Sequence, residues 1–144
     1  IEEPPRSIET LEGFSEALNE RQHVGSTLLA PLTQLPNRDA LAQIADFLLP
    51  TDGVDSVVVY GVRRGNVILS ARTKITQIHL GKMLSERWSG GQSGGHKALA
   101  GGQILFESLL ETIPEDPADA SREALAAMTE ALRALFASEV LSND

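Results

Sequence analysis

The sequence has no cysteine, which removes disulfides, thiolate nucleophiles and cysteine-ligated zinc together. Its three histidines, His23, His79 and His96, stand far apart, and no two have metal-ligand spacing. No metal site is expected from them. There is no apolar run long enough to cross a bilayer and no basic start leading into an apolar signal core. No membrane association is therefore expected, and the expected location is the cytoplasm. Positive charge is also short: the net charge is −8, which argues against a general nucleic-acid binder. The 144 residues suffice for one domain with one substantial core, at an ordinary 42% apolar and 22% charged. The chain starts at Ile1 rather than Met, so it is expected to be a piece of something longer.

The charge is unevenly spread. From Arg63 to Lys97 there are seven cations (Arg63, Arg64, Arg72, Lys74, Lys82, Arg87 and Lys97) against one acid, Glu86. That window carries +6 and leaves −14 on the rest. A basic segment in an acidic protein is either a solvated face or the mark of a local anionic partner. The same window runs into the densest glycine stretch, Ser89–Gly102, which holds six of the twelve glycines with His96 and Lys97 between them. Glycine costs conformational entropy, so such a loop implies tight turns or close approach of backbone to a ligand. Bare N–H groups can form an anion nest, which points to a phosphate-bearing ligand. The alternative is an ordinary mobile surface loop.

Along the chain, residues 1–8 read as a linker, and Thr10–Gln22 as an amphipathic helix through Leu11, Phe14 and Leu18. Val24–Leu32 reads as one strand. Asn37 is an N-cap for a helix over Arg38–Leu49, with Leu41, Ile44, Ala45 and Leu48 on one face. Asp55–Val62 and Val67–Thr73 read as a β-hairpin turning at Arg63–Asn66. On the second strand Ser70 and Arg72 share a face near its C-terminal end. His79–Trp88 reads as a short helix, with His79 as a cap or surface residue and Trp88 as a core plug rather than a base-stacking platform. Gln103–Phe106 is a closing strand, and about Ala118–Leu141 a helix with Leu125, Met128, Leu132, Leu135 and Phe136 on one face. The expected architecture is an α/β domain: a small mixed sheet, helices packed against it, and a C-terminal helix. Strand order does not follow.

The series Ser70-Ala71-Arg72, His79-Leu80-Gly81 and Gly94-Gly95-His96-x-x-x-Ala100-Gly101 resembles the C-terminal substrate-binding domain of the DHH phosphoesterase superfamily. That superfamily includes RecJ exonucleases, oligoribonuclease-type enzymes and cyclic-dinucleotide phosphodiesterases. The resemblance spans roughly Val24–Phe106. It divides the chain into a linker and connecting helix (1–23), the DHH-associated domain (24–107), and an acidic spacer with the C-terminal helix (108–144). Ser93 stands where the family often has glycine, Leu99 where it has alanine, and His79 where it frequently has aspartate.

The resemblance implies a role in binding nucleic acid or a nucleotide phosphate for hydrolysis. The catalytic domain would lie upstream in the same chain and hold manganese or another divalent metal. This chain lacks the Asp-His-His triplet and the Asp/His cluster that such metals need, so it should not hydrolyse anything alone. The implied ligand-binding residues are Ser70, Arg72, Ser93, Gly94, Gly95, His96 and Lys97. A guanidinium suits bidentate hydrogen bonding to phosphate, although Arg72 could instead pair with a carboxylate on a neighbouring element. His96 could be structural, Lys97 could be merely solvated, and Arg63 and Arg64 read as ordinary exposed turn residues. The other reading is a regulatory or oligomerisation module, such as a homodimer through the C-terminal helix, that kept the fold without the ligand.

Overall fold

In the computed structural model, which describes residues 7–35, 37–88, 92–94 and 99–142, the chain reverses early, at Gly25 with φ +59°. The helix α1 (Ile8–Glu20) is followed by a short strand β1 (Gln22–Val24), and beyond Gly25 by the antiparallel strand β2 (Thr27–Leu32). The single strand expected over Val24–Leu32 is thus the end of one strand and all of another. A positive φ, cheap only for glycine, lets the chain double back there.

The helix α2 (Arg38–Leu48) starts where the Asn37 side chain accepts from the Ala40 N–H at 2.8 Å, one of the donors a helix start leaves open. It returns the chain to β3 (Ser56–Arg63), parallel to β2. The β-branched run Val57-Val58-Val59 is buried on both faces of that strand. A tight turn leads to β4 (Asn66–Thr73), as expected. After α3 (Leu80–Arg87) come β5 (Gln92–Gly94) and β6 (Leu99–Leu105), then the long helix α4 (Pro117–Ser142). The six-stranded sheet has the order β1-β2-β3-β4-β6-β5, parallel only between β2 and β3. This is the mixed sheet that the sequence implied. The second half of the glycine segment, however, is strand: Leu99–Gly102 pairs with Arg72–Leu69 of β4.

Helices cover both faces. On one, α1 and α2 pack on Leu28, Ala30, Leu32, Val57, Val59 and Ile68. On the other, α3 and α4 pack on Leu29, Val58, Tyr60, Leu69 and Ile104. Trp88 is 3% exposed within that second core, as expected for a plug, and His79 caps α3 by accepting from the Lys82 N–H at 3.1 Å. The apolar side of α4 (Ala124, Leu125, Met128, Leu132, Phe136) is buried in the same core. Among the described residues no helix is long and apolar enough to cross a membrane.

Candidate functional site

Alternation along β4 places Asn66, Ile68, Ser70 and Arg72 on the α1/α2 side of the sheet. The ladder extends each row sideways. Ser70 pairs with Gly101 of β6, which pairs with Gly94 of β5; Arg72 pairs with Leu99. The structure therefore brings Ser70, Arg72 and Gly94 of the anticipated residues to one patch and adds Gly101. Ser93 pairs with Gly102, in the row of Leu69, which belongs to the opposite face. Gly95, His96 and Lys97 lie outside the described residues. The strands that flank their segment end at Gly94 and begin at Leu99, in the rows of Ser70 and Arg72.

Arg72 has two anchors. Its Nε donates to Asp46 Oδ1 of α2 at 2.9 Å, and one Nη1 hydrogen goes to its neighbour's carbonyl, Ala71 O, at 2.9 Å. The ion pair foreseen as its alternative role is therefore present. Its side chain is 13% exposed against 64% for Asp46, so water screens the pair, which is worth no more than about 1 kcal/mol. A guanidinium carries five N–H donors, so the pairing fixes its direction without exhausting it. The Nη2 group has no partner among the described residues. An immobilised, half-satisfied guanidinium suits an anion better than a free one, because less side-chain entropy is lost on binding.

The strand end next to Arg72 is pinned. The Ser56 and Thr73 hydroxyls share a hydrogen bond of 2.7 Å, and Lys74 donates through its N–H to Asp55 O and through Nζ to Val54 O, each at 2.7 Å. Lys74, counted in the basic segment, is thus engaged by the fold. The Ser70 hydroxyl is half-buried and has no hydrogen-bond partner among the described residues. Asp46 was not anticipated from the sequence. Only the β2-α2-β3 crossover, which lays the end of α2 over the start of β3, brings it to Arg72.

Two roomier hollows, of about 590 and 620 Å³, flank α1 instead. Glu9, Glu12, Glu16 and Glu20 line the first, which repels phosphate; Glu16 and Glu20 also line the second, together with Arg122, itself paired with Asp119. Among the described residues no three His, Asp or Glu side chains gather as metal ligands.

Known proteins resemble this chain in sequence or in shape. The uncharacterized protein MJ1633 of Methanocaldococcus jannaschii is 37% identical over 105 residues, 72% of this chain but 21% of its own length. An exopolyphosphatase-related protein from Bacteroides fragilis has the same fold, with TM-score 0.63 and 15% identity, over 97% of this chain and 38% of its own. The C-Ala domain of Aquifex aeolicus alanyl-tRNA synthetase follows at TM-score 0.52 and 19% identity, covering 79% of this chain and 98% of its own. The chain therefore spans about a fifth of its curated relative. The family model of the DHHA1 domain matches residues 26–138, from the start of β2 well into α4, and the chain belongs to that family.

Proposed function

We propose that this chain is a substrate-recognition domain. It binds a phosphorylated ligand, a nucleic acid or nucleotide phosphate, on the β4–β6–β5 surface and positions it for hydrolysis elsewhere. One observation carries the reading. Arg72 is held by Asp46 with donors to spare, beside a row, Ser70–Gly101–Gly94, whose β6 and β5 members carry no side chain. Phosphate needs charge-assisted donors and close access to backbone, and both are present. The parent reaction would be a metal-dependent phosphoesterase step, such as exonuclease cleavage, with the divalent metal, manganese or another, held by a catalytic domain upstream. This domain supplies orientation rather than bond-making.

The second reading, a regulatory or oligomerisation module, has its support on α1. Ile8, Leu11 and Leu18 are exposed there, and Phe47 of α2 is exposed beside Phe14. For the tail-helix version, the described apolar stripe of α4, from Ala124 to Phe136, already packs in the core against the sheet.

The test is titration of the chain into a labelled, 5′-phosphorylated single-stranded oligonucleotide at low salt. Arg72→Ala is expected to weaken binding about tenfold or more, with Arg72→Lys between it and wild type. Thermal stability should fall little, because Asp46 is left solvated. Wild-type binding by Arg72→Ala would remove the site from this surface.

A further inference from the structure

Arg63 and Arg64 stand at the other end of β4 from Arg72. With Asn66, Ile68 and Gln103 they line a pocket of about 260 Å³ on the same side of the sheet as Ser70 and Arg72. Both arginines are exposed, and among the described residues neither has an ion-pair partner. The turn that carries them is fixed: Asn66 Nδ2 donates to Arg64 O, and the Phe106 N–H donates to Gly65 O, each at 3.1 Å.

The turn's residue choice is also unusual. Arg64 has φ +50° and Gly65 φ +76°, the two positive angles of a tight hairpin turn. Asparagine, aspartate or glycine is the residue that such a first position favours, and no other described non-glycine residue has positive φ. Folding alone therefore favours an Asn-Gly turn, and an arginine there calls for another reason.

Asn66 and Arg72 are six strand residues apart, about 20 Å at the usual rise. One phosphate, or one mononucleotide, cannot reach both ends. Between them the face offers Ser70 on β4 and Gln103 and Gly101 on β6, all uncharged, while Ile68 is almost wholly buried beneath α2. Inorganic polyphosphate, charged at every unit, would leave its middle uncompensated over that stretch. A nucleotide strand has spaced charges and neutral bases, which suits an uncharged stretch between two basic ends. Leu105, paired with Asn66 and 45% exposed, adds apolar surface beside the turn.

We infer that Arg63 and Arg64 form a second phosphate subsite, and that the ligand is a single-stranded oligonucleotide running along β4 and β6 from that turn to Arg72. The inference rests on the phosphate-binding role proposed for the Arg72 surface. It revises the reading of the two arginines as ordinary turn residues.

The test compares wild type with the double variant Arg63→Ala, Arg64→Asn. The second change creates Asn-Gly, so the hairpin keeps or gains stability and a folding defect cannot imitate lost binding. Ligands run from a 5′-mononucleotide to single strands of about eight nucleotides, across a salt series. Wild-type affinity is expected to climb with length. The double variant should bind the longest strand about tenfold more weakly, with a salt slope shallower by about one unit, and bind the mononucleotide like wild type. Wild-type affinity for the long strand in the double variant, or no gain with length, overturns the second subsite while mononucleotide binding keeps the first. Tighter binding of a polyphosphate of equal charge overturns the choice of ligand. Failure of every ligand, mononucleotide included, overturns the proposed function and this inference together.

Discussion

A Cβ added at Gly61 would lie 3.2 Å from the Leu32 carbonyl oxygen and 3.5 Å from Leu32 Cβ, on the neighbouring strand. Among the described residues, one added at Gly101 would meet only Leu69 O, at an ordinary 3.7 Å, and Gly101 is not among the positive-φ glycines. Packing thus explains the missing side chain at Gly61, and among the described residues nothing explains it at Gly101. Gly61→Ala is expected to cost about 1–3 kcal/mol, since backbone must shift to admit the methyl. Gly101→Val should leave stability unchanged or raise it by up to about 1 kcal/mol, because glycine is a poor strand residue. The same valine would stand in the row of Ser70 and abolish oligonucleotide binding. Urea denaturation and titration of both variants separate the cases; a Gly101→Val protein as unstable as Gly61→Ala would make that glycine structural.

At the scale of elements, those read well from sequence declare themselves locally. Asn37 before an apolar stripe specifies α2, a β-branched run specifies β3, and an apolar face at helical spacing specifies α4. Only the end of strand β6 was read, as a closing strand from Gln103; its first half was hidden because Leu-Ala-Gly-Gly has little strand preference of its own. Its ladder with β4 imposes the conformation, so tertiary pairing overrides propensity. Strand β1, of three residues, is too short to show a period, and Gly25 reads equally well as a turn or as a strand glycine. The site divides the same way. Ser70 and Arg72 could be placed on one face from a two-residue period. Gly101 as their neighbour required the β4–β6 register, and Asp46 required knowing that α2 lies on that face. The turn arginines needed the pocket that Gln103 completes from another strand.

At the scale of the whole molecule, one hydrogen bond ties the centre of the sheet to the C-terminal helix. Tyr60 of β3 is fully buried, and its hydroxyl pairs with that of Thr129 on α4, which itself donates to Leu125 O at 2.9 Å. Burial pushes the Tyr60 phenol up to about 12 from 10.0, against the opposing effects of the Thr129 hydrogen bond and the Arg133 charge. Below pH 10 both folded and unfolded chains keep that proton, and the contribution to stability is fully present. Between pH 10 and pH 12 the unfolded chain releases it while the folded chain does not, so stability falls as pH rises through this window. The full loss is on the order of 2–3 kcal/mol. Since Tyr60 is the only tyrosine, phenolate absorbance reports on it alone. It is expected to stay dark in the folded protein past pH 10 and to rise together with the loss of helical circular dichroism. Tyr60→Phe should lose less stability than wild type between pH 9 and pH 11.5, because only the wild type carries this proton. A phenolate signal near pH 10 with the helices intact would mean that α4 does not seal the sheet as described.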